Sequence, residues 1–364
     1  MRKANVWIAV CGLLAVGTVV AEPLPRFPPG AVWNRNVAAD ALHPQSASMI
    51  ATLSGLGGFG FGRMQIDFGL QVVHAAAGAP TRAITGYPFD DYFLPDCEPI
   101  GSPMPVPVDA AIEGQTGLVC DNASEDCHLL VVQGDVLYEA FHANADGAAG
   151  LESQCLAVWQ LDVIYPPEGR GEHCTSADAA GFPIAPLLFN ADEIAASLAA
   201  DPSGAGDIGH AVRFTLPNAR MASDASLGGV GGRLYVRPAS HAGGPSGPAS
   251  SVPYGARLRL RADFPLAGYN PAARVILNTL KRYGMFLADG GNVALTAESD
   301  RFTTRHWDDA DIAIDSRVFD QTPAASAVAI GDFQVLDTGN RIAETFACVR
   351  TVLPDGPLFG DGFE

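Results

Sequence analysis

Alternation of apolar and polar residues predicts short β-strands along most of the chain. In ARLRLRADF (256–264) the leucines share one face, and Arg257, Arg259 and Arg261 share the other. A period of two with a charged outer row is typical of a strand with one face in solvent. Further segments of strand character are VLYEAFH (136–142), CLAVWQLDVIY (155–165), HAVRFTL (210–216), GRLYVRP (232–238), MFLA (285–288), NVALTAE (292–298) and DFQVLD (332–337).

Two segments carry helical signals. NPAARVILNTLKRYG (270–284) begins with Asn270 as an N-cap and Pro271 at the first helical position, and NADEIAASLAAD (190–201) has acids in its first turn. Few helices among many strands do not fit a βαβ fold. The pattern therefore predicts a mainly β protein, an antiparallel β-sandwich or jelly-roll with two or three peripheral helices.

The first residues have the form of a secretory signal peptide. Arg2 and Lys3 precede an apolar run, and a small-residue cleavage site ends at Ala21. We expect a signal peptide over 1–21, a single β-rich domain over 22–345 and a tail over 346–364. We therefore expect a secreted or periplasmic protein with no membrane span after cleavage.

The charge balance narrows the range of partners. The chain has 22 basic and 40 acidic residues, a net charge of −18 at pH 7. This charge opposes binding to nucleic acid and to anionic membranes, and it leaves neutral or cationic partners open.

Six cysteines remain after the leader, and an even number in an exported chain indicates disulfides. Short loops favour the pairs Cys120–Cys127 and Cys155–Cys174. Cys97–Cys348 is then the third predicted pair.

The segment CHLLVVQGDVLYEAFH (127–142) predicts a hairpin with an unusual polar content. A two-residue turn at Gly134-Asp135 pairs residue 130 with 139, and both faces are then apolar. In this register His128 and Glu139 are diagonal neighbours on one face. A carboxylate among apolar groups has a raised pKa and suits acid–base catalysis, although a structural His–Glu hydrogen bond is the alternative.

Glu113, in AAIEGQTGLVC (110–120), is the partner that we expect for Glu139. Glycosidases use two carboxyls, about 5 Å apart in retaining enzymes and roughly 6.5–9.5 Å apart in inverting ones. We therefore predict Glu113, Glu139 and His128 as catalytic residues.

Three basic side chains are candidates for substrate binding. His210 heads a strand, and Arg237 and His241 lead from another strand into a loop rich in Gly, Pro and Ser. Arginine can bind a carboxylate through two parallel hydrogen bonds. We predict His210, Arg237 and His241 as substrate-binding residues, with structural histidines as the alternative.

No cofactor motif is present, and one acidic segment is a weak candidate for calcium. HWDDADIAID (306–315) contains Asp308, Asp309 and Asp311, and calcium prefers oxygen ligands. The spacing is not that of an EF-hand, and a solvated acidic turn is the alternative.

Several segments in combination resemble a family of exported, β-rich bacterial proteins with no established activity. They are AIEGQTGLVCDNASEDCHLLVVQGDVLYEAF, TSADAAGFPIAP, GHAVRFTL, YGARLRLRADF and VILNTLKRYGMFLADGG. The resemblance implies one contiguous domain over roughly 27–337. It also implies that Glu113, His128, Glu139 and His210 belong to one group.

These features predict an exported enzyme that acts on an extracellular polymer, a polysaccharide, as a glycoside hydrolase or a lyase with carboxylate acid–base chemistry. The alternative is a non-catalytic carbohydrate-binding or cell-surface β-sandwich. Carboxylates that converge in one cleft favour the enzyme, and a flat aromatic platform favours the binding protein.

Overall fold

The computed structural model describes residues 22–121 and 125–353. The predicted signal peptide and residues 354–364 of the predicted tail lie outside the described residues. Among the described residues, 24% are in strands and 16% in helices, so the prediction of a mainly β fold is confirmed.

The helices and strands of the described ranges are, in chain order, α1 (Ser46–Gly55), β1 (Ile66–Leu70), β2 (Val72–His74), β3 (Thr81–Gly86), β4 (Pro103–Pro105), β5 (Leu129–Gln133), β6 (Val136–Phe141), β7 (Asn144–Asp146), β8 (Gly150–Ser153), β9 (Cys155–Gln160), β10 (Gly171–Glu172), α2 (Ala191–Ala200), β11 (Val212–Leu216), β12 (Leu234–Tyr235), β13 (Arg257–Leu260), α3 (Pro271–Arg282), β14 (Met285–Gly290), β15 (Leu295–Glu298), β16 (Phe333–Val335), β17 (Ile342–Ala343) and β18 (Val349–Arg350).

The sheets are mixed, which corrects the prediction of an antiparallel fold. One sheet has the order β1-β15-β11-β14-β13-β16, and two four-stranded sheets have the orders β2-β5-β6-β9 and β4-β3-β8-β7. Each contains a parallel pair: β1 with β15, β11 with β14, β2 with β5, and β3 with β8. Parallel neighbours need long crossover connections, and the alternation of a single strand does not reveal these.

The sheet β2-β5-β6-β9 is covered on both faces, as the hairpin pattern predicts. Leu130 and Val132 of β5 belong to the larger apolar core, whereas Leu129 and Val131 belong to a second core on the opposite face. The predicted register is also confirmed, because Leu130 pairs with Glu139 across a two-residue turn. Gly134 has a φ of +59° there, a conformation that glycine adopts without strain.

The two predicted helices form, and their caps explain where they begin. The side chains of Asn190 and Asn270 accept hydrogen bonds from backbone N–H groups in the first turns of α2 and α3. Helix α3 is not peripheral, because most of its residues are buried against α2 and β13.

The arginine row is only partly exposed, which corrects the sequence interpretation: Arg257 is buried and Arg259 half-buried, whereas the Arg261 side chain is 42% exposed, as the pattern predicts. Arg257 is 1% exposed and donates hydrogen bonds to the carbonyls of Val32, Arg35 and Tyr283. Arg259 donates to the carbonyl of Ala38 at 2.8 Å. The N-terminal segment covers this face of the strand and presents carbonyl groups to the guanidinium groups.

All six described cysteines form disulfides, but two of the three predicted pairs are wrong. Cys120–Cys127 is confirmed, and the other bonds are Cys97–Cys155 and Cys174–Cys348. The start of β9 hydrogen-bonds to the segment around Cys97, and β10 pairs with β18. Strand neighbours therefore set the pairing, and the length of the closed loop does not. The described part of the predicted tail is bonded to the fold through Cys348 and β18.

Within the described ranges, no helix has the length and apolar character that crossing a membrane requires.

Candidate functional site

Two adjoining cavities are lined by seven acidic side chains between them. The larger has a volume of about 750 Å³ and the smaller about 160 Å³, and Asp126 and Asp289 line both. We call the two together the acidic cleft. Further wall residues are Asp67, Glu113, His128 and Arg213 in the smaller cavity and Tyr92, Phe93, Phe141, Asp178 and His241 in the larger.

Glu113 and His128 form an ion pair at the wall of the smaller cavity. The Glu113 Oε2 lies 2.7 Å from the His128 Nδ1, and the Glu113 backbone N–H donates to the His128 carbonyl at 2.8 Å. His128 directly follows Cys127, whose bond to Cys120 fixes the entry to β5. The loop that carries Glu113 is therefore fastened to the hairpin by both main chain and side chain.

His128 is an imidazolium in this environment. Its Nε2 lies 3.0 Å from the Ala177 carbonyl, so both ring nitrogens face acceptors. Burial alone would lower the pKa of His128, but the charge and hydrogen bond of Glu113 raise it to about 9. Burial likewise opposes ionisation of Glu113, and the charge of His128 still holds the pKa of that carboxyl below its usual value.

Arg213 lines the smaller cavity and is held by Asp178. It sits on β11, where its Nη2 and Nε lie 2.6 and 3.2 Å from the Asp178 Oδ2. Its Nη1 donates to the Thr296 hydroxyl on the neighbouring strand β15 at 3.1 Å. Both charged side chains are almost fully enclosed. This pair therefore forms a fixed, nearly neutral wall.

Asp289 lies near the end of β14 and is an acid of the cleft whose ionisation is strongly perturbed. It pairs with Thr215 across the parallel strands, and its Oδ2 lies 3.8 Å from the Arg213 Nη2. Burial first, and then the negative charge of Asp178, raise the pKa of Asp289 to about 7. The side chain is 22% exposed, so the group that titrates near neutral pH opens to the cleft.

Aromatic rings form the other side of the larger cavity. Phe141 packs on the His142 ring at a centroid distance of 4.0 Å, and His142 stacks on Tyr87 at 4.7 Å. Tyr87 in turn contacts Phe89, whose side chain is 79% exposed. A row of rings thus runs from the surface to the cleft.

Glu139 is buried in the larger core and lines neither cavity of the cleft. Its Oε1 accepts hydrogen bonds from the N–H groups of Ile184 and Ala185 at 2.8 and 2.9 Å, and its Oε2 accepts from the Trp159 indole at 3.1 Å. Burial raises the pKa of Glu139 to about 7 against the effect of these bonds. The acid that meets His128 is therefore Glu113, and the expected bond between His128 and Glu139 is not formed.

The three predicted substrate-binding residues lie in different places. His241 lines the larger cavity, donates to the Ala179 carbonyl at 2.8 Å and stacks on Phe346 at 5.4 Å. Arg237 forms an ion pair with Glu172 and lines a separate cavity.

His210 is enclosed beside α2, where the Arg26 Nη2 lies 2.7 Å from its Nε2. Its Nδ1 donates to the Ala211 carbonyl at 2.7 Å. Burial first, and then the charge of Arg26, lower the pKa of His210, which makes it a neutral acceptor in a structural cluster.

In the acidic segment that is a weak candidate for calcium, an arginine pairs with two of the carboxylates. Arg305 lies 2.6 Å from Asp309 and 2.5 Å from Asp311, and Asp308 is exposed. In residues 22–121 and 125–353, no group of three or more His, Cys, Asp and Glu side chains is arranged to hold a metal ion.

Sequence reasoning did not select Asp178, Arg213 or Asp289. One signal was present in GHAVRFTL, where alternation places Arg213 opposite His210 on a strand that is otherwise apolar. A buried arginine needs a carboxylate partner, so this position predicts an acid nearby. Only the fold shows which acid it is.

No family model matches this sequence, and no curated protein or solved structure matches it either. The resemblance to exported proteins therefore adds no activity, and the function has to be inferred from the cleft itself.

The structural role of Glu139 predicts the effect of Glu139→Gln. The amide oxygen of the glutamine can still accept from Ile184 and Ala185, but its NH₂ group then faces the Trp159 N–H, donor against donor. We therefore expect a loss of about 1–3 kcal/mol in the free energy of unfolding. Urea unfolding at pH 8 measures this loss. An unchanged midpoint would contradict the structural assignment.

The Glu113–His128 pair predicts a pH dependence of stability. The folded-state pKa of His128, about 9, lies above its usual value of 6.5. Its contribution is therefore complete below about pH 6.5 and is lost as the pH rises through 9. Urea unfolding between pH 6 and 10 should show this decline in the unmodified protein and a flatter profile in His128→Gln.

His306→Gln is the matched control for this experiment, because the His306 side chain is 51% exposed and lies 3.5 Å from Asp300. We expect the control to keep the profile of the unmodified protein. If the free energy of unfolding changed with pH equally in His128→Gln and His306→Gln, a stabilising charge on His128 would be excluded.

Proposed function

We propose that this protein is an exported enzyme that hydrolyses an extracellular polysaccharide, with Asp289 as general acid and Glu113 as the ionised carboxylate. One observation carries the proposal. The two acids line the same small cavity, and their environments move their pKa values in opposite directions. Glycoside hydrolysis requires a pair of carboxyls, one of which keeps its proton while the other is ionised.

Asp289 has the properties of a proton donor. A pKa near 7 keeps a fraction of it protonated at neutral pH and lets it exchange the proton readily. Its partial exposure allows contact with a glycosidic oxygen in the cleft. In this scheme it protonates the leaving oxygen as the bond to the sugar carbon breaks. A water molecule then forms a bond to that carbon and gives a proton back to the Asp289 carboxylate, which restores the acid.

Glu113 has the complementary property, because His128 keeps it negatively charged. A fixed negative charge stabilises the positive charge that develops on the sugar ring in the transition state. Both ring nitrogens of His128 are hydrogen-bonded, one to Glu113 and one to the Ala177 carbonyl. His128 therefore acts as a positioning residue and does not transfer the proton. Asp178 and Arg213 hold the wall behind Asp289 in the same way.

The larger cavity is suited to a sugar. Its volume of about 750 Å³ lies within the range of small-molecule sites, roughly 300–1,000 Å³. Carboxylates accept hydrogen bonds from hydroxyl groups, and the rings of Tyr92, Phe93 and Phe141 offer apolar faces.

Hydrolysis fits the cleft better than elimination does. A lyase needs a cation that neutralises a uronate carboxylate. Of the two arginines that line the cleft, Arg213 is already bonded to Asp178, and Arg233 lies over the Phe346 ring. The excess of acids in the cleft repels an anionic polymer and suits a neutral or cationic one. Three disulfides fit an oxidising compartment, which supports export.

A non-catalytic carbohydrate-binding protein is the second candidate. The row of rings from Phe89 to Phe141 favours it, because such a row can hold sugars without any chemistry. The two candidates differ in whether Asp289 is needed for turnover.

Asp289→Asn is the variant that tests the enzyme. Amide replacement removes the transferable proton, and we expect the rate of release of reducing ends from a responsive polysaccharide to fall by about 10²–10⁴-fold. The assay screens the purified protein on a panel of neutral and amino-sugar polymers. It also follows unsaturated products, which only elimination produces.

Asp263→Asn is the control, since its side chain is 78% exposed and lies outside the cleft. It should keep full activity. Absence of turnover on every polymer, together with retained binding in affinity gels, would reject the hydrolase and support the binding protein.

A further inference from the structure

A further cavity lies between the N-terminal segment and the strands β9 and β13. Its volume is about 390 Å³, and it shares no lining residue with the acidic cleft. Five aromatic side chains line it, and we call it the aromatic pocket: Phe27, Trp33, Trp159, Tyr165 and Phe286.

The rings of the aromatic pocket are fixed by contacts with each other. Trp33 meets Phe286 edge to face at 5.2 Å, and Trp159 meets Tyr165 in the same way at 5.1 Å. Edge-to-face pairs of this kind are rigid and present flat apolar faces. The pocket therefore suits a planar apolar body.

Three arginines also line the pocket, and two of them are neutralised. Arg35 lies 2.6 Å from Asp40, and Arg237 is paired with Glu172.

Arg257 differs from the other two. It is 1% exposed, its guanidinium carbon lies 4.6 Å from the centre of the Phe286 ring, and its hydrogen bonds go to three backbone carbonyls. Among the ion pairs of the described residues, none involves Arg257.

Asp40 acts on Arg257 electrostatically but is bonded to Arg35. A buried charge without an ion-pair partner of its own is costly, and an anion in the pocket would offset that cost. A guanidinium has five N–H donors, and three carbonyl bonds leave donors for a ligand. The acid at the rim, Asp337, is exposed and accepts the N–H of Gly339 at 3.1 Å. It does not neutralise Arg257.

We propose that the aromatic pocket binds a small molecule that has a planar apolar body and one carboxylate, and that Arg257 receives the carboxylate. The site is separate from the acidic cleft and does not depend on the activity proposed for it. Its volume lies within the range of sites for small ligands.

Isothermal titration calorimetry on the mature, disulfide-bonded protein tests this site with phenylacetate and 1-naphthoate as probes. We expect saturable binding of both acids. Because a hydrogen bond to a charged group contributes more than one to a neutral group, they should bind at least about tenfold more tightly than the neutral 2-phenylethanol. The cation 2-phenylethylamine should not bind.

Two variants and a matched control complete the test. Arg257→Met should lower the affinity for both acids to that for the neutral probe. Arg259 lies on the same strand and also donates to backbone carbonyls, so Arg259→Met is the control and should leave the affinity for both acids unchanged. Ile164→Phe alters a rim residue that is 56% exposed, so it should fold normally and reduce binding by narrowing the entrance.

The proposal is overturned if neither acid binds saturably, or if the neutral probe binds as tightly as the acids. Unchanged affinity in Arg257→Met would also overturn it. If Arg257→Met does not fold, unchanged affinity in Ile164→Phe has the same consequence.

Discussion

The ion pair between Glu113 and the buried His128 is the interaction on which the acidic cleft depends. It joins a loop to the start of the central hairpin, and it places one permanent negative charge at the wall of the smaller cavity. A pair with a buried member is held only when the remaining polar atoms of that member are also bonded. The Ala177 carbonyl meets this condition for the second ring nitrogen of His128.

The same low-dielectric environment explains why the other acids of the cleft behave differently. Burial raises the pKa of both Asp178 and Asp289, and the charge of Arg213 opposes this rise in both. Asp178 bonds the guanidinium directly, whereas Asp289 lies farther from it and close to Asp178. Arg213 therefore stabilises the charge of Asp178 more strongly than that of Asp289. The outcome is a cleft in which one acid stays ionised and another holds a proton near neutral pH.

Features that depend on local geometry could be predicted from the sequence. The two-residue turn at Gly134 and the period of two set the hairpin register, and the side chains of Asn190 and Asn270 mark the starts of two helices. The sequence predicts both Glu113 and His128 as site residues, but with Glu139 as the partner of each. The loop before the hairpin supplies the acid, and the pattern of the hairpin alone does not show this.

Features that depend on contacts between distant segments could not be predicted. Arg213 and Asp289 meet because β11 and β14 are parallel neighbours, and Asp178 joins them from a loop whose Ala180 N–H donates to the Ala288 carbonyl. No short pattern specifies either neighbourhood. The same reason applies to Cys174–Cys348, which follows from the pairing of β10 with β18, and to Arg257, whose partners lie in the N-terminal segment.

The carboxyl pKa values of Glu113 and Asp289, measured by ¹³C NMR titration, test the central claim most directly. Single substitutions to the amide assign the two signals. The account predicts that Asp289 titrates near pH 7 and that Glu113 titrates below the usual range of a glutamate. Ordinary titration of both groups, near pH 4, would contradict it.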